Sequence, residues 1–159
     1  MFCVNCIHVD TNILLNPRIL RGLLQRCRNS GYVIKISPFT LTEFISKYGE
    51  HVRQPRQALY MPNDPLNILL NGIAEGLIDI FVIKDEKLGD FISYINELRS
   101  EVAWLHSMDI LILASALIDE ECNGLITLDS RMIKSRKIGK ILHKAKKHLY
   151  DEELKRLNT

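Results

Sequence analysis

The chain has 159 residues, 47% of them hydrophobic and 25% charged, with a formal net charge of +2. That length suits one domain with a full core, and the composition excludes the disordered and collagen-like classes. The longest apolar stretch, Ile110 to Ile118 with Ser115 inside it, is about half of the ~20 residues that cross a bilayer, so no membrane span is expected.

The amino terminus, Met-Phe-Cys-Val-Asn-Cys, has neither a basic region nor a long apolar core of the secretory kind, and a cytoplasmic location is expected. Cys6 to Asp10 is a short β-prone run that stops at a polar Asp-Thr-Asn. Pro17 to Asn29 reads as a helix, with Pro in its first turn and Gly31 as its stop. Tyr32 to Ser37 is a second strand, ended by Pro38, and a helix is expected from about Leu41. Pro55, Pro62 and Pro65 mark a loop over residues 53 to 65, and Pro65 to Gly76 reads as helical.

Ile78 to Ile83 is a β-branched third strand. Leu88, Phe91, Ile92, Ile95 and Leu98 fall on one face of a helix over Lys87 to Trp104. A second helix runs from near Ser107 to about Glu121, and Gly124 to Asp129 is the fourth strand. From about residue 137 the chain is basic and helical in pattern. This alternation predicts a single α/β domain over residues 1–159, with a parallel sheet covered by helices on both faces.

Four cysteines, Cys3, Cys6, Cys27 and Cys122, are too scattered for a disulfide scaffold, and Cys3-x-x-Cys6 lacks the second ligand pair of a zinc site. Both read as small apolar residues leading into the first strand; a hyperthermophilic source would leave a disulfide open. Charge is unevenly spread. Residues 130–159 hold ten Lys/Arg against three Asp/Glu, a balance of +7, which leaves eleven against sixteen, or −5, in the first 129. An acidic body with a basic end suits a nucleic-acid partner, and equally a solvated helix face.

Ligands of open parallel sheets bind at the carboxyl ends of the strands. Asp10 closes the first strand and Asp129 the fourth, while Glu43 and Asp109 lie in the first turns of two flanking helices. Singly, three of them have a structural reading. Thr40-Leu-Thr-Glu43 matches a capping box, and Asp10 and Asp129 could each cap the turn that follows. Asp109 resists it, because its neighbours at helical spacing are Ile112, Leu113 and Ala116, and a carboxylate on so apolar a helix is costly to bury without a cation or several donors. Amides at the helix start, with Ser107 as cap, could supply part of that. A hard divalent ion such as Mg²⁺ or Mn²⁺ would let several carboxylates share one pocket, and no His or Cys is arranged to compete. His8, two residues before Asp10, reads as a packing or hydrogen-bonding residue.

Taken together, His-Val-Asp10-Thr-Asn12, Thr-Leu-Thr-Glu43-Phe, Ser-Met-Asp109-Ile-Leu-Ile-Leu-Ala-Ser-Ala and Leu-Ile-Thr127-Leu-Asp129 resemble the PIN domain nuclease pattern, over residues 6 to about 135. Their separations of 33, 66 and 20 residues suit that family. The resemblance implies a three-layer α/β/α sandwich around a mostly parallel sheet of four or five strands, Mg²⁺ or Mn²⁺ dependence, cleavage of single-stranded or structured RNA, and frequent homodimerisation. It implies that Asp10, Asp109 and Asp129 hold the main metal, that Glu43 helps bind a second ion or orients the water, and that Asn12 and Thr127 support them.

The family's usual fifth strand has no clear counterpart, although Ile138 to Leu142 offers a stunted edge strand. Residues 54 to 76 are longer and richer in proline than in a minimal toxin of the family. For RNA contact, Arg131, Lys134 and Arg136 lie just past Asp129, placed for phosphate contacts that give affinity without sequence specificity. The leading expectation is a PIN-type endoribonuclease, either a toxin with an antitoxin partner or an RNA-processing enzyme. A non-catalytic PIN-like module that binds RNA or protein is the alternative. A phosphoryl-transfer receiver would need paired acids near the first strand, which are absent.

Overall fold

The computed structural model describes residues 5–51 and 63–157. In chain order these form β1 (Cys6–Val9), α1 (Thr11–Leu14), α2 (Pro17–Ser30), β2 (Val33–Ile36), α3 (Pro38–His51), α4 (Pro65–Ala74), β3 (Ile78–Ile80), α5 (Leu88–Glu101), α6 (Ser107–Ile118), β4 (Cys122–Ile126), α7 (Ser130–Lys134), α8 (Arg136–Lys144), β5 (His148–Tyr150) and β6 (Arg156–Leu157), with a 3-10 turn at Asp85–Lys87. The expected proline-rich loop lies mostly outside the described residues.

The sheet runs β3-β2-β1-β4-β5-β6, all parallel except the β5–β6 pair. From β1 the chain winds outward to β2 and β3, then crosses back to β4 and winds the other way. The direction changes between β1 and β4, where an open sheet leaves a crevice at its carboxyl edge. Strand alternation divides the core into two layers. Ile7, Val9, Ile34, Ile36, Ile78 and Ile126 pack against α1 to α4, whereas Leu125 and Leu149 pack on the other face against α5, α6 and α8. A helix layer on each side gives the expected three-layer sandwich.

Local chemistry sets the element ends. Asn16 accepts the Ile19 amide at 3.2 Å, Pro17 takes the first helical position, and Gly31, at φ 72°, stops α2. Pro38 opens α3 rather than merely closing β2, with Ser37 Oγ accepting the Thr40 amide at 3.1 Å. The helix thus starts three residues earlier than expected, which moves Glu43 into its second turn and removes the Thr40 capping box.

Two expectations are corrected at the carboxyl end. Ile138 to Leu142 is not an edge strand but part of α8, because Ile138, Ile141 and Leu142 follow the helical spacing and are buried. The fifth strand is instead β5, only three residues long with Leu149 buried, and β6 makes six strands rather than four or five. At Gly124, φ is 159° and a Cβ would fall on the His148 carbonyl oxygen, so this glycine permits the β4–β5 pairing.

Cysteine pairing also departs from expectation. Cys6 faces Cys122 in the β1–β4 register, at a Cα separation of 4.7 Å, and the two form a disulfide. Residues 116 apart in sequence become direct neighbours through the parallel pairing. Cys27 is a buried free thiol, and Cys3 lies outside the described residues.

Candidate active site

Asp10 follows β1 at the crevice edge and is 4% exposed. Its Oδ1 accepts the Thr11 amide and its Oδ2 the Thr127 hydroxyl, both at 2.8 Å. The same Thr127 oxygen accepts the Asp129 amide at 3.0 Å. One buried hydroxyl therefore ties the end of β1 to the end of β4. Asn12 adds a second tie, its Oδ1 accepting the Leu128 amide at 3.3 Å. Asp129 caps α7, with Oδ1 accepting the amides of Arg131 at 2.9 Å and Met132 at 3.2 Å. Both aspartates do the capping weighed from sequence.

Glu43 reaches the same region from α3, where Lys47, one turn on, lies 3.6 Å from its carboxylate. Asp109 sits in the first turn of α6, whose side chains from Ile112 to Ile118 are all buried. The residue in the cap position is His106, which makes no side-chain cap bond, rather than Ser107. The carboxylate of Asp109 reaches back to the His106 amide, the partial relief expected from amides at the helix start.

Mutual charge links the four acids. Burial raises Asp10 to about 6, with the charges of Asp109 and Glu43 adding to the rise and the Thr127 and Thr11 hydrogen bonds opposing it. Burial also raises Asp109, and Glu43 and Asp129 push it further, against the His106 amide and ring. Asp10 thus feels Asp109 and Glu43, and Asp109 feels Glu43 and Asp129. Among the described residues, however, no three of these acids bring ligand atoms within 4.8 Å of one another. The group that does so is Cys6, Asp119 and Cys122, and its two sulfurs are consumed by the disulfide.

The donor set fits a hard divalent cation. All four side chains offer carboxylate oxygens, and two of them hold protons above the usual range because negative charge accumulates out of water. A cation at such a site would relieve that charge without a proton.

Past Asp129, the Arg131 guanidinium lies over the Trp104 ring, 4.5 Å from its centroid. Lys134 and Arg136 are exposed farther along, at the end of α7 and the start of α8. Trp104 carried no periodic or motif signal, and only its place five residues before Asp109 could have drawn attention to it.

His8 points to the opposite sheet face from Val9 and belongs to another cluster. Its Nε2 lies 2.8 Å from Asp119 Oδ2, Lys35 bonds both Asp119 and Glu121, and Lys147 donates to the carbonyls of Asp119 and Cys122. Burial alone would raise Asp119, yet His8, the Glu121 amide and Lys35 bring it down to about 2. A nearby cleft of about 410 Å³, lined by Lys35, Lys84, Lys87, Asp79 and residues 118–121 among others, includes none of the four acids.

No protein-family model matches the sequence, and no curated protein matches it. Among solved structures, the chain is similar to one in the crystal structure of VapBC2 from Rickettsia felis bound to a DNA fragment from their promoter, with a TM-score of 0.61 and 16% identity over 92% of this chain and 98% of that one. It is likewise similar to a chain of VapBC-1 from nontypeable Haemophilus influenzae, with a TM-score of 0.60 and 13% identity over 93% and 98%. No helix among the described residues is long and apolar enough to cross a membrane. At these identities the likeness establishes architecture alone, a mostly parallel sheet between two helix layers, in which Asp10 and Asp129 follow the adjacent strands β1 and β4 at their carboxyl ends.

Proposed function

We propose that the protein is a divalent-metal-dependent endoribonuclease of the PIN type, and that Asp10, Glu43, Asp109 and Asp129 form its active site. The observation that carries this reading is geometric: Asp10 and Asp129 follow the adjacent strands β1 and β4 and are tied together through Thr127, with Asp109 and Glu43 near enough for their charges to push Asp10 upward. Clustered carboxylates that repel one another out of water are costly unless a cation is their normal partner.

In this reading Asp10, Asp109 and Asp129 hold a Mg²⁺ or Mn²⁺ ion, and Glu43 serves a second ion or orients the attacking water. Such ions, when bound, supply Lewis acidity to the phosphodiester and to its leaving oxygen. The chain's own residues supply position. Thr127 fixes one Asp10 oxygen and the Asp129 backbone at once, and Asn12 fixes the turn between β4 and α7. Outer-shell bonds of this kind orient ligating carboxylates. Arg131, Lys134 and Arg136 receive the RNA backbone.

The two VapBC structures support the toxin-type branch over RNA processing, with an antitoxin as a protein partner; a homodimer in the cytoplasm completes the proposal. The test is cleavage of unstructured RNA by inhibitor-free protein with Mg²⁺ or Mn²⁺, beside Asp10→Asn and Asp109→Asn. Wild-type cleavage that is lost in both folded variants is expected. Absence of cleavage with either ion, or variants as active as wild type, defeats the proposal.

A further inference from the structure

The amino ends of β1 and β4 hold a polar cluster separate from the four acids. Cys6 opens β1 and Cys122 opens β4, whereas Asp10 and Asp129 follow the carboxyl ends of the same strands. A carboxylate oxygen of Asp119 and the sulfurs of Cys6 and Cys122 all lie within 4.8 Å of one another, and all three residues are buried. The Nε2–H of His8 donates to Asp119 at 2.8 Å. In sequence these four are Cys6-x-His8 and Asp119-x-x-Cys122, two short pairs that the β1–β4 register brings together.

A disulfide that only staples two strands is served by apolar surroundings. This one lies against a carboxylate that is 3% exposed. Lys35 bonds the carboxylates of Asp119 and Glu121, and the buried Lys147 donates to the carbonyls of Asp119 and Cys122. Lys35 and Lys147 thus offset Asp119 and Glu121, while the disulfide is neutral. Reduction puts two neutral thiols in its place. A Zn²⁺ ion that displaces their two protons leaves the charge of the cluster unchanged, which removes the main cost of burying a divalent ion. Thiolates are soft ligands and select zinc over the hard ions suited to carboxylates alone. Asp119 and Lys35 also line the cleft of about 410 Å³, so the cluster has a side open to solvent.

We propose that Cys6, Cys122 and Asp119 form a zinc site when the Cys6–Cys122 disulfide is reduced, with His8 holding the Asp119 carboxylate and water from the cleft completing a tetrahedron. Two equivalents of a small thiol reduce the disulfide, giving two protein thiols and one small-molecule disulfide. The thiols bind Zn²⁺ and release two protons. In reverse, a small-molecule disulfide oxidises the bound thiolates, giving the protein disulfide, two small thiolates and free Zn²⁺. The site holds zinc in thiol-rich surroundings and gives it up on oxidation.

The wild-type protein is compared with its disulfide intact and after reduction by a water-soluble phosphine and desalting without oxygen, with four thiols per denatured chain confirming the second state. Excess Mg²⁺ competes at the four acids. Co²⁺ serves as the optical probe, because a thiolate-to-cobalt charge-transfer band cannot come from carboxylates. Reduced protein should give that band with tetrahedral d–d absorption, saturating at one Co²⁺ per chain, and oxidised protein should give neither. Zn²⁺ should displace the cobalt, and competition with a chromogenic chelator should show Zn²⁺ bound on the order of 1000-fold more tightly by the reduced protein. Cys6→Ser and Cys122→Ser should each lose the tetrahedral absorption, Cys27→Ala should keep it, and His8→Ala should weaken Zn²⁺ binding about 10- to 100-fold. Absence of the band from reduced wild type, equal Zn²⁺ affinity in the two redox states, or a band of undiminished intensity in Cys6→Ser or Cys122→Ser overturns the proposal.

Discussion

Replacing Asp10 by Asn should stabilise the metal-free protein at neutral pH while destroying the site. Asp10 titrates at about 6 in the folded chain against an ordinary 3.8, and it is almost wholly buried. A carboxyl that binds its proton more tightly when folded favours the native state most below pH 3.8, and that contribution is lost as pH rises through 6. Two pH units correspond to about 3 kcal/mol, which metal-free wild type forgoes above pH 6. Asn carries no charge at any pH and is as good a helix cap. It disturbs the bond from the Thr127 hydroxyl, which costs about 1 kcal/mol. The net expectation is a variant about 1 to 2 kcal/mol more stable than wild type at pH 7.5 in EDTA, with the gap closing or reversing near pH 4. Urea midpoints for both proteins at the two pH values measure it. A gap independent of pH, or a wild type more stable at pH 7.5, would refute the claim that Asp10 is strained by burial and by its neighbouring acids.

Divalent ion should invert that order: Mn²⁺ at about 100 times its Kd should stabilise wild type by about 3 kcal/mol and leave Asp10→Asn nearly unmoved, as read by thermal melts with and without the ion. Thr127→Val keeps the shape but removes the hydroxyl bonded to Asp10 and to the Asp129 amide. It should lower kcat/KM about 10- to 100-fold in the RNA cleavage assay, and unchanged activity would deny Thr127 its positioning role. Reducing the Cys6–Cys122 disulfide, which closes a loop of more than a hundred residues, should cost about 4 to 5 kcal/mol. Denaturant midpoints with and without reductant test this, and the double variant Cys6→Ser, Cys122→Ser should be insensitive to reductant.

Elements with strong periodicity and clear punctuation were legible in the sequence. The α2 boundaries followed from Pro17 and Gly31, and the buried character of α6 from its unbroken apolar run. What escaped depended on tertiary pairing. The strand β5 is three residues inside a basic stretch, and it exists because β4 offers an edge and Gly124 leaves room. The disulfide partner of Cys6 follows only from strand register, which no spacing between residues 6 and 122 reveals. Pro38 is both a strand stop and a helix start, and Ser37 before it, which accepts the Thr40 amide, is the signal for the second role.

At the site, the strand ends brought out Asp10 and Asp129 and the helix starts Glu43 and Asp109, whereas Asn12 and Thr127 came from the family resemblance. The electrostatic coupling of the four acids was not legible, since it depends on how deeply each is buried. The Trp104–Arg131 contact and the cluster around Asp119 were hidden for the same reason: neither follows a local period, and both join residues more than 20 positions apart.

The most direct test is a crystal of the wild-type protein soaked in Mn²⁺ and measured at the manganese absorption edge. The proposed site predicts anomalous density coordinated by Asp10, Asp109 and Asp129, absent from Asp109→Asn crystals treated in the same way. Density elsewhere, or none among these acids at saturating Mn²⁺, would contradict it.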